Sequence, residues 1–364
     1  VPEFKVIHDS VHGSLRVEGV FLRLLGRPEM QRLHGVHQLG LAHLVFPGAN
    51  HTRLEHSLGT FHIAGKMADA LSLRKEERDE VQAAALLHDI GHPPFSHTLE
   101  EVLHDRLGVD HMDLGKALIM GEMRSISPAD QRLLKDTDDV PTVLEAAGIS
   151  PGRVADLVLS PLPLDVPGQS LLEVEEGQAH FGQANYLHQI IHGPVDADQM
   201  DYLRRDAYYT GVAHGTIDLD RLLQTISTFH GDLVVLKGGV VAVEGLLVAR
   251  ALMYTSVYFH KTVRIAETML CKAVEMADKQ LLRQIHMETD GSLTEKLIAQ
   301  GGYPGKIMTQ IKYRELYKRC FSLFMADMSE EQMDRLMDLT DYRKRKEKEE
   351  EIAVRAGVHL SEVV

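Results

Sequence analysis

Tryptophan is absent from the 364 residues, and cysteine nearly so: Cys271 and Cys320 stand alone. Two isolated thiols exclude a disulfide scaffold and a cysteine-based zinc site, and they suit a reducing, cytoplasmic setting. Positive charge is also short. Lys and Arg number 39 against 53 Asp and Glu, a formal net charge of −14. Such a chain is a poor general binder of nucleic acid, whose affinity rests on phosphate neutralisation. A local basic pocket for a small phosphorylated ligand stays compatible with it. No uninterrupted run of 18 apolar residues occurs, so no membrane span is expected. The opening VPEFKVIHDSVHG lacks the charged-then-apolar pattern of a secretion signal. The length suggests one large domain or two, with ample material for a core. Histidine, in contrast, is plentiful, with 21 copies.

The first twenty residues alternate apolar and polar around His-Gly and predict a short hairpin. From Phe21 the apolar residues fall three and four apart, the helical spacing. PGAN (47–50) predicts a turn, with Thr52 or Ser57 near the start of the next helix. VQAAALLHDIG (81–91) predicts a buried helix that Gly91, Pro93 and Pro94 bring to a stop. The region 123–183, with PLPLDVPG at 161–168, reads as loops with short helices. Helical spacing returns at 185–210 and 218–229. LVVLKGGVVAV (233–243) predicts a hairpin turning at Gly238-Gly239, and a long helix over 244–280 follows. The tail DYRKRKEKEEE (341–351) reads as a solvated helical face. The expected fold is mostly α with two small hairpins. A core spans 1–280, with an irregular insertion about 123–183, and a helical extension covers 281–364.

His-Asp occurs three times, at 8–9, 88–89 and 104–105, against about 1.5 expected from composition. The first and third read as surface pairs, but His88-Asp89 ends the most apolar helix of the chain. Burying an imidazole and a carboxylate there is costly unless a metal or a partner satisfies them. An internal His–Asp hydrogen bond is the alternative reading. The surroundings point to a metal: His51, Arg53, His56 and His62 precede it, and His92, His97, His104 and His111 follow. VDADQMDYLRRD (195–206) adds Asp196, Asp198, Asp201 and Asp206. Imidazole nitrogen with carboxylate oxygen suits a hydrolytic transition-metal ion, and ligands from distant helices are how a helical bundle builds such a site.

VFPGANHTRLEHSLGT (45–60), ALLHDIGHPPFSH (85–97) and VDADQMDYLRRD (195–206) resemble the HD-domain deoxynucleoside triphosphate triphosphohydrolases, in the same order from about residue 5 to 280. The resemblance implies an HD-domain helical bundle. It implies His56, His88, Asp89 and Asp198 as ligands of a divalent ion (Fe, Mn, Zn, Ni or Co), with Mg as a second ion beside the phosphates. Arg53 matches a phosphate-contacting arginine. His92, His97 and His111 match histidines that contact phosphate or move protons, with Asp196 orienting His97 and Glu100 standing for an aspartate that orients His111. Gln38, Leu39, Tyr202 and Asp206 match sugar-contacting residues. VARALMYTSVYFHK (248–261) resembles a later pocket helix and places Arg250, Tyr258, His260 and Lys261 near phosphates and sugar. The implied substrate is a nucleoside triphosphate, deoxy favoured, and the implied state a homo-oligomer.

Besides Glu100, three positions depart from the pattern. Gln199 stands where a phosphate-contacting lysine is expected. Gly26 and His34 replace a guanine-recognising acid and an arginine, although Gln31 and Arg32 remain. Activation by a guanine nucleotide is therefore not expected. Independently of the resemblance, phosphoryl transfer needs charge neutralisation, an oriented water and a proton for the leaving oxygen, which metal, Arg and His supply. Two rival readings keep the same residues: an HD-type nucleotidase or phosphodiesterase on another substrate, and a catalytically idle nucleotide sensor.

Overall fold

The computed structural model describes residues 4–159, 185–322 and 327–363. The PLPLDVPG stretch and the rest of 160–184 lie outside them. The chain opens as expected with a hairpin, β1 (Phe4–Asp9) against β2 (Gly13–Glu18), in which Leu15 and Val17 face the core. Two short helices follow, α1 (Gly19–Leu25) and α2 (Pro28–Arg32). Then come the two central helices, α3 (Arg53–Ala70) and α4 (Lys75–Leu87). Glu55 accepts the Thr52 backbone N–H at 2.7 Å, so Thr52 starts α3. α5 (Glu100–Leu107) and α6 (His111–Ile119) lead into short pieces: α7 (Pro128–Gln131), α8 (Val140–Glu145), α9 (Pro151–Val158) and α10 (Asn185–Gln189). The short helices of the expected insertion are thus present up to residue 159. α11 (Ala197–Thr210) packs along α3, and α12 (Leu219–Thr225) leads into a second hairpin.

That hairpin differs from the expectation. Its strands are β3 (Ile226–Phe229) and β4 (Asp232–Val235), joined through His230 (φ +52°) and Gly231 (φ +91°). Gly238-Gly239 instead belong to a single 3₁₀ turn that starts α13 (Val240–Met253). The β-branched run Val240-Val241-Ala242-Val243 becomes helix because Ala242, Leu246, Ala249 and Met253 bury one face at helical spacing. The long helix is also broken. A π turn at Tyr254–Tyr258 and an elbow at Phe259-His260 separate α13 from α14 (Lys261–Glu275). By length and composition, Lys237–Tyr258 is apolar enough to cross a membrane, which a count of uninterrupted apolar residues does not reveal. Here one of its faces packs on the core.

The remaining helices are α15 (Lys279–Arg283), α16 (Asp290–Gln300), α17 (Gly302–Lys312), α18 (Glu330–Asp338) and α19 (Tyr342–Ala356). The main core gathers around α3, α4 and α11. A second core joins Phe95, Leu99 and α5 to α14, α16 and α17, so α14 packs with the C-terminal helices ahead of the expected boundary at 280–281. The charged tail is more than a solvated face: α19 buries Glu349 against Lys272, 2.5 Å away and 1% exposed.

Candidate functional site

α4 ends at Leu87, and His88 and Asp89 occupy the turn beyond it. A freed helix end lets adjacent side chains converge, which the helix interior forbids. Gly91 makes the turn compact. A Cβ there would lie 2.1 Å from the His111 carbonyl oxygen, so only glycine lets α6 come this close. α3 delivers Arg53 and His56, and α11 delivers Asp198.

These side chains meet. His56 Nε2 lies 2.8 Å from Asp198 Oδ1 and 3.2 Å from His88 Nε2, while Asp89 Oδ1 lies 3.3 Å from His88 Nε2. The second nitrogen of each imidazole is engaged elsewhere: His88 Nδ1 donates to the Ala85 carbonyl at 2.9 Å, and His56 Nδ1 to Asp201 Oδ2 at 2.7 Å. Both Nε2 lone pairs therefore face each other across a buried gap, an arrangement that calls for a cation between them. Their spacing matches neighbouring ligands on an ion with bonds of about 2.0–2.1 Å. The field agrees. Burial opposes a charged His56, yet Asp198 and Asp201 outweigh it and hold the ring up to about 10. Burial likewise opposes an ionised Asp89, but Arg53, His88 and His92 keep it well below the usual carboxylate range. The donor set fits a divalent ion.

Asp201 is the residue that sequence reading left without a role. It is fully buried and accepts from His12 Nε2 (2.6 Å), His56 Nδ1 (2.7 Å), and Arg205 Nε and Nη2 (2.8 and 2.9 Å). It orients the histidine as carboxylates behind metal-bound imidazoles do. A Cβ at residue 59 would sit 1.9 Å from its Oδ1, so Gly59 opens α3 to it. Arg205 also holds Asp9 Oδ2 at 2.8 Å. Asp9 is therefore a buried tether of the first hairpin, not half of a surface pair. The four-residue spacing of Asp201 and Arg205 on one helix was the legible signal.

Beside this centre opens a cavity of about 530 Å³ lined by Gln38, Leu39, Arg53, His92, His97, Glu100, His111, Asp198, Tyr202, Asp206, Arg250 and Tyr258, among others. Its buried polar atoms without a hydrogen-bond partner in the protein include Gln38 Oε1, Arg53 Nη2, His92 Nδ1 and Gln199 Oε1. The other half of the Arg53 fork is fixed by Ser96 Oγ (Nε, 2.7 Å) and Asp89 Oδ2 (Nη1, 2.6 Å). Asp206 Oδ1 accepts from His51 Nε2 and Oδ2 from the Tyr258 hydroxyl, both at 2.7 Å, which leaves each oxygen a lone pair for a ligand hydroxyl.

Three expected placements change. Asp196 does not orient His97. Its carboxylate caps α11, accepting the Gln199 and Gly193 N–H groups at 2.7 and 2.9 Å, and burial beside Asp198 raises its pKa to about 8. The partner of His97 is Glu100, at 3.0 Å, which also contacts His111. His260 and Lys261 are not among the cavity-lining residues, because the elbow after the π turn makes His260 the N-cap of α14 and leaves Lys261 exposed.

The C-terminal region reaches into this scaffold. Asp290, the first residue of α16, accepts from His37 Nδ1 (2.6 Å) and from the Phe95 N–H (2.7 Å), tying together the segments that carry Gln38 and His97. Phe95 and Ser96 both hold left-handed backbone (φ +59° and +58°), a strained pair just before His97. Arg32 Nη2 donates to the Ile90 and His92 carbonyls and Nη1 to that of Glu288. It is thereby engaged within the fold. Asp290 raises the His37 pKa, mainly through their hydrogen bond and against burial. A raised histidine pKa adds stability below the unfolded value, lost as pH rises through the folded one. His37→Gln should cost about 1.5 kcal/mol at pH 6, and clearly less at pH 9, in urea unfolding. An equal cost at both values would contradict the charged pair.

Comparison with known proteins follows the same lines. The HD-domain profile matches residues 53–137, and the HD-associated-region profile matches 217–364. The deoxynucleoside triphosphate triphosphohydrolase SAMHD1 of Homo sapiens is 26% identical over 87% of this chain and 55% of its own. A hypothetical protein from Aquifex aeolicus superposes with a TM-score of 0.68 at 32% identity, covering 92% of this chain and 82% of that one. A phosphohydrolase from Bacteroides thetaiotaomicron gives 0.69 at 25%, over 99% and 85%. The chain spans 55–61% of the length of the first curated relatives it matches. With His56, His88, Asp89 and Asp198 gathered on one buried centre, this chain belongs to the HD-domain phosphohydrolase family.

Proposed function

We propose that the protein hydrolyses nucleoside triphosphates, deoxy forms favoured, releasing nucleoside and intact triphosphate. One observation carries the reading: unpartnered buried polar atoms gathered on a single cavity, beside donors suited to a divalent ion. An ion held by His56, His88, Asp89 and Asp198 would supply Lewis-acid charge and a water of lowered pKa. The residues do the rest. Arg53 and Arg250 face the cavity and offset phosphate charge, and His92, held neutral by burial, Arg53 and His111, offers Nδ1 as a hydrogen-bonding group. His97 and His111 share Glu100, which orients a proton for the leaving 5′-oxygen. Asp206 and Gln38 receive the sugar hydroxyl, and Leu39, Tyr202 and Tyr258 wall the ring, so that a 2′-hydroxyl would be buried without a partner.

Product chromatography over a panel of dNTPs and NTPs tests this. Triphosphate is expected from dNTPs without added GTP. Pyrophosphate or orthophosphate would support the rival reading as a nucleotidase or phosphodiesterase, and no product at all the idle sensor. His97→Ala should lower turnover by roughly two to four decades with metal content unchanged. Near-normal turnover there, with collapse in His111→Ala, would move the proton to His111. We further infer a homo-oligomer. Val241, Leu247, Val248 and Leu252 leave an apolar stripe along α13, exposed by 79, 48, 58 and 41%, the kind of surface that association covers.

A further inference from the structure

His92, His97, Glu100 and His111 form a second constellation beside the centre at His56, His88, Asp89 and Asp198, which His92 Nε2 adjoins at 3.3 Å from Asp89 Oδ1. Each of the four offers a nitrogen or carboxylate oxygen within 4.8 Å of the others. His92 and His111 stack at 4.0 Å and His97 stands edge-on to His92 at 4.6 Å. His92 is buried with Nδ1 unpartnered, whereas His97 is 64% exposed and has room to turn onto a ligand. Glu100 meets Nδ1 of both His97 and His111. The two Nδ1 atoms and the carboxylate between them, with the unpartnered His92 Nδ1, are the four donors that an ion there would take.

We propose that this cluster is a second metal site, selective for zinc-like ions over magnesium, and that its occupation inhibits the enzyme. Three imidazoles and one carboxylate are the donors of a closed tetrahedral zinc site and a poor match for magnesium, which keeps oxygen ligands and water. The inhibition rests on the proton-donor reading above. An ion bound through the imidazole lone pairs displaces the proton that His97 or His111 would give, and it occupies the part of the cavity wall that would meet phosphate. The metal count does not rest on that reading.

The full chain is stripped with chelator, equilibrated with excess zinc, desalted, and its metal counted by mass spectrometry. Wild type should hold two zinc ions, Asp198→Ala one, His111→Ala one, and the double variant none. His97→Ala, altered at an exposed side chain, repeats the loss of one ion without risk to the fold. Cobalt in place of zinc should give visible bands of tetrahedral character that persist in Asp198→Ala and vanish in His111→Ala. In manganese-loaded wild type, added zinc should lower turnover by roughly two decades, the contribution of a general acid, and chelator should restore it. One zinc in wild type, or two retained in both histidine variants, overturns the site. Loss of one ion in those variants, with no triphosphate released from any dNTP by wild type, would leave the site standing and refute the substrate reading. Two ions bound with turnover unaffected would refute the inhibition.

Discussion

Asp201→Ala is expected to destabilise the fold by about 3–5 kcal/mol, the usual consequence of removing one partner from a buried charge network. Arg205 has a fully buried side chain and would keep only Asp9. His12 and His56, both with buried side chains, would each lose a short hydrogen bond. The cost of such a change lies in what is left unpaired, not in the lost contact itself. Asp201→Asn keeps the volume and one acceptor oxygen, so it should cost less while still disturbing His56. Its metal affinity should fall by roughly 10- to 100-fold, as for other residues behind metal-bound histidines. Urea unfolding and metal titration read the two effects separately. A loss below about 1 kcal/mol in Asp201→Ala would show that the network is not a stability element.

Asp89→Asn should abolish metal-dependent turnover, a loss on the order of 10³- to 10⁴-fold if the ion contributes several kcal/mol to the transition state. The asparagine is nearly isosteric and can still accept from Arg53 Nη1, which sits 2.6 Å from Asp89 Oδ2. Helix content should therefore survive. Asp89→Ala should lose the same activity and also leave Arg53, 2% exposed, without its carboxylate, adding about 3–5 kcal/mol of destabilisation. The pair separates chemistry from folding. Full metal content in Asp89→Asn would remove Asp89 from the ligand set.

What was legible in the sequence was local. Alternation over residues 4–18 gave the first hairpin, apolar spacing gave the central helices, and Gly91 with two prolines marked the turn that frees His88 and Asp89 from α4. The second hairpin was misplaced because Gly238-Gly239 is the stronger turn signal, while the real turn uses His230 in a left-handed conformation that few side chains favour. The break at Phe259-His260 carries no glycine or proline to betray it. Asp290 and Arg32 were not found as site residues because their partners lie 195 and 58 residues away in the chain. No periodicity encodes such a contact. The role that the resemblance implied for Asp196 did not hold: an aspartate just before a helix is first an N-cap, and here its carboxylate accepts the Gln199 N–H.

The strained Phe95-Ser96 step has a consequence for where the protein can be divided. A fragment ending before Glu288 would contain His56, His88, Asp89, His97, His111 and Asp198. It would nevertheless lack the carboxylate that receives the Phe95 N–H and the carbonyl that receives Arg32 Nη1. Two consecutive left-handed residues do not hold themselves in place. Released, they would relax and carry His97 away from Glu100, with every metal donor still present. A fragment that keeps the arrangement around His97 must therefore include the first turn of α16.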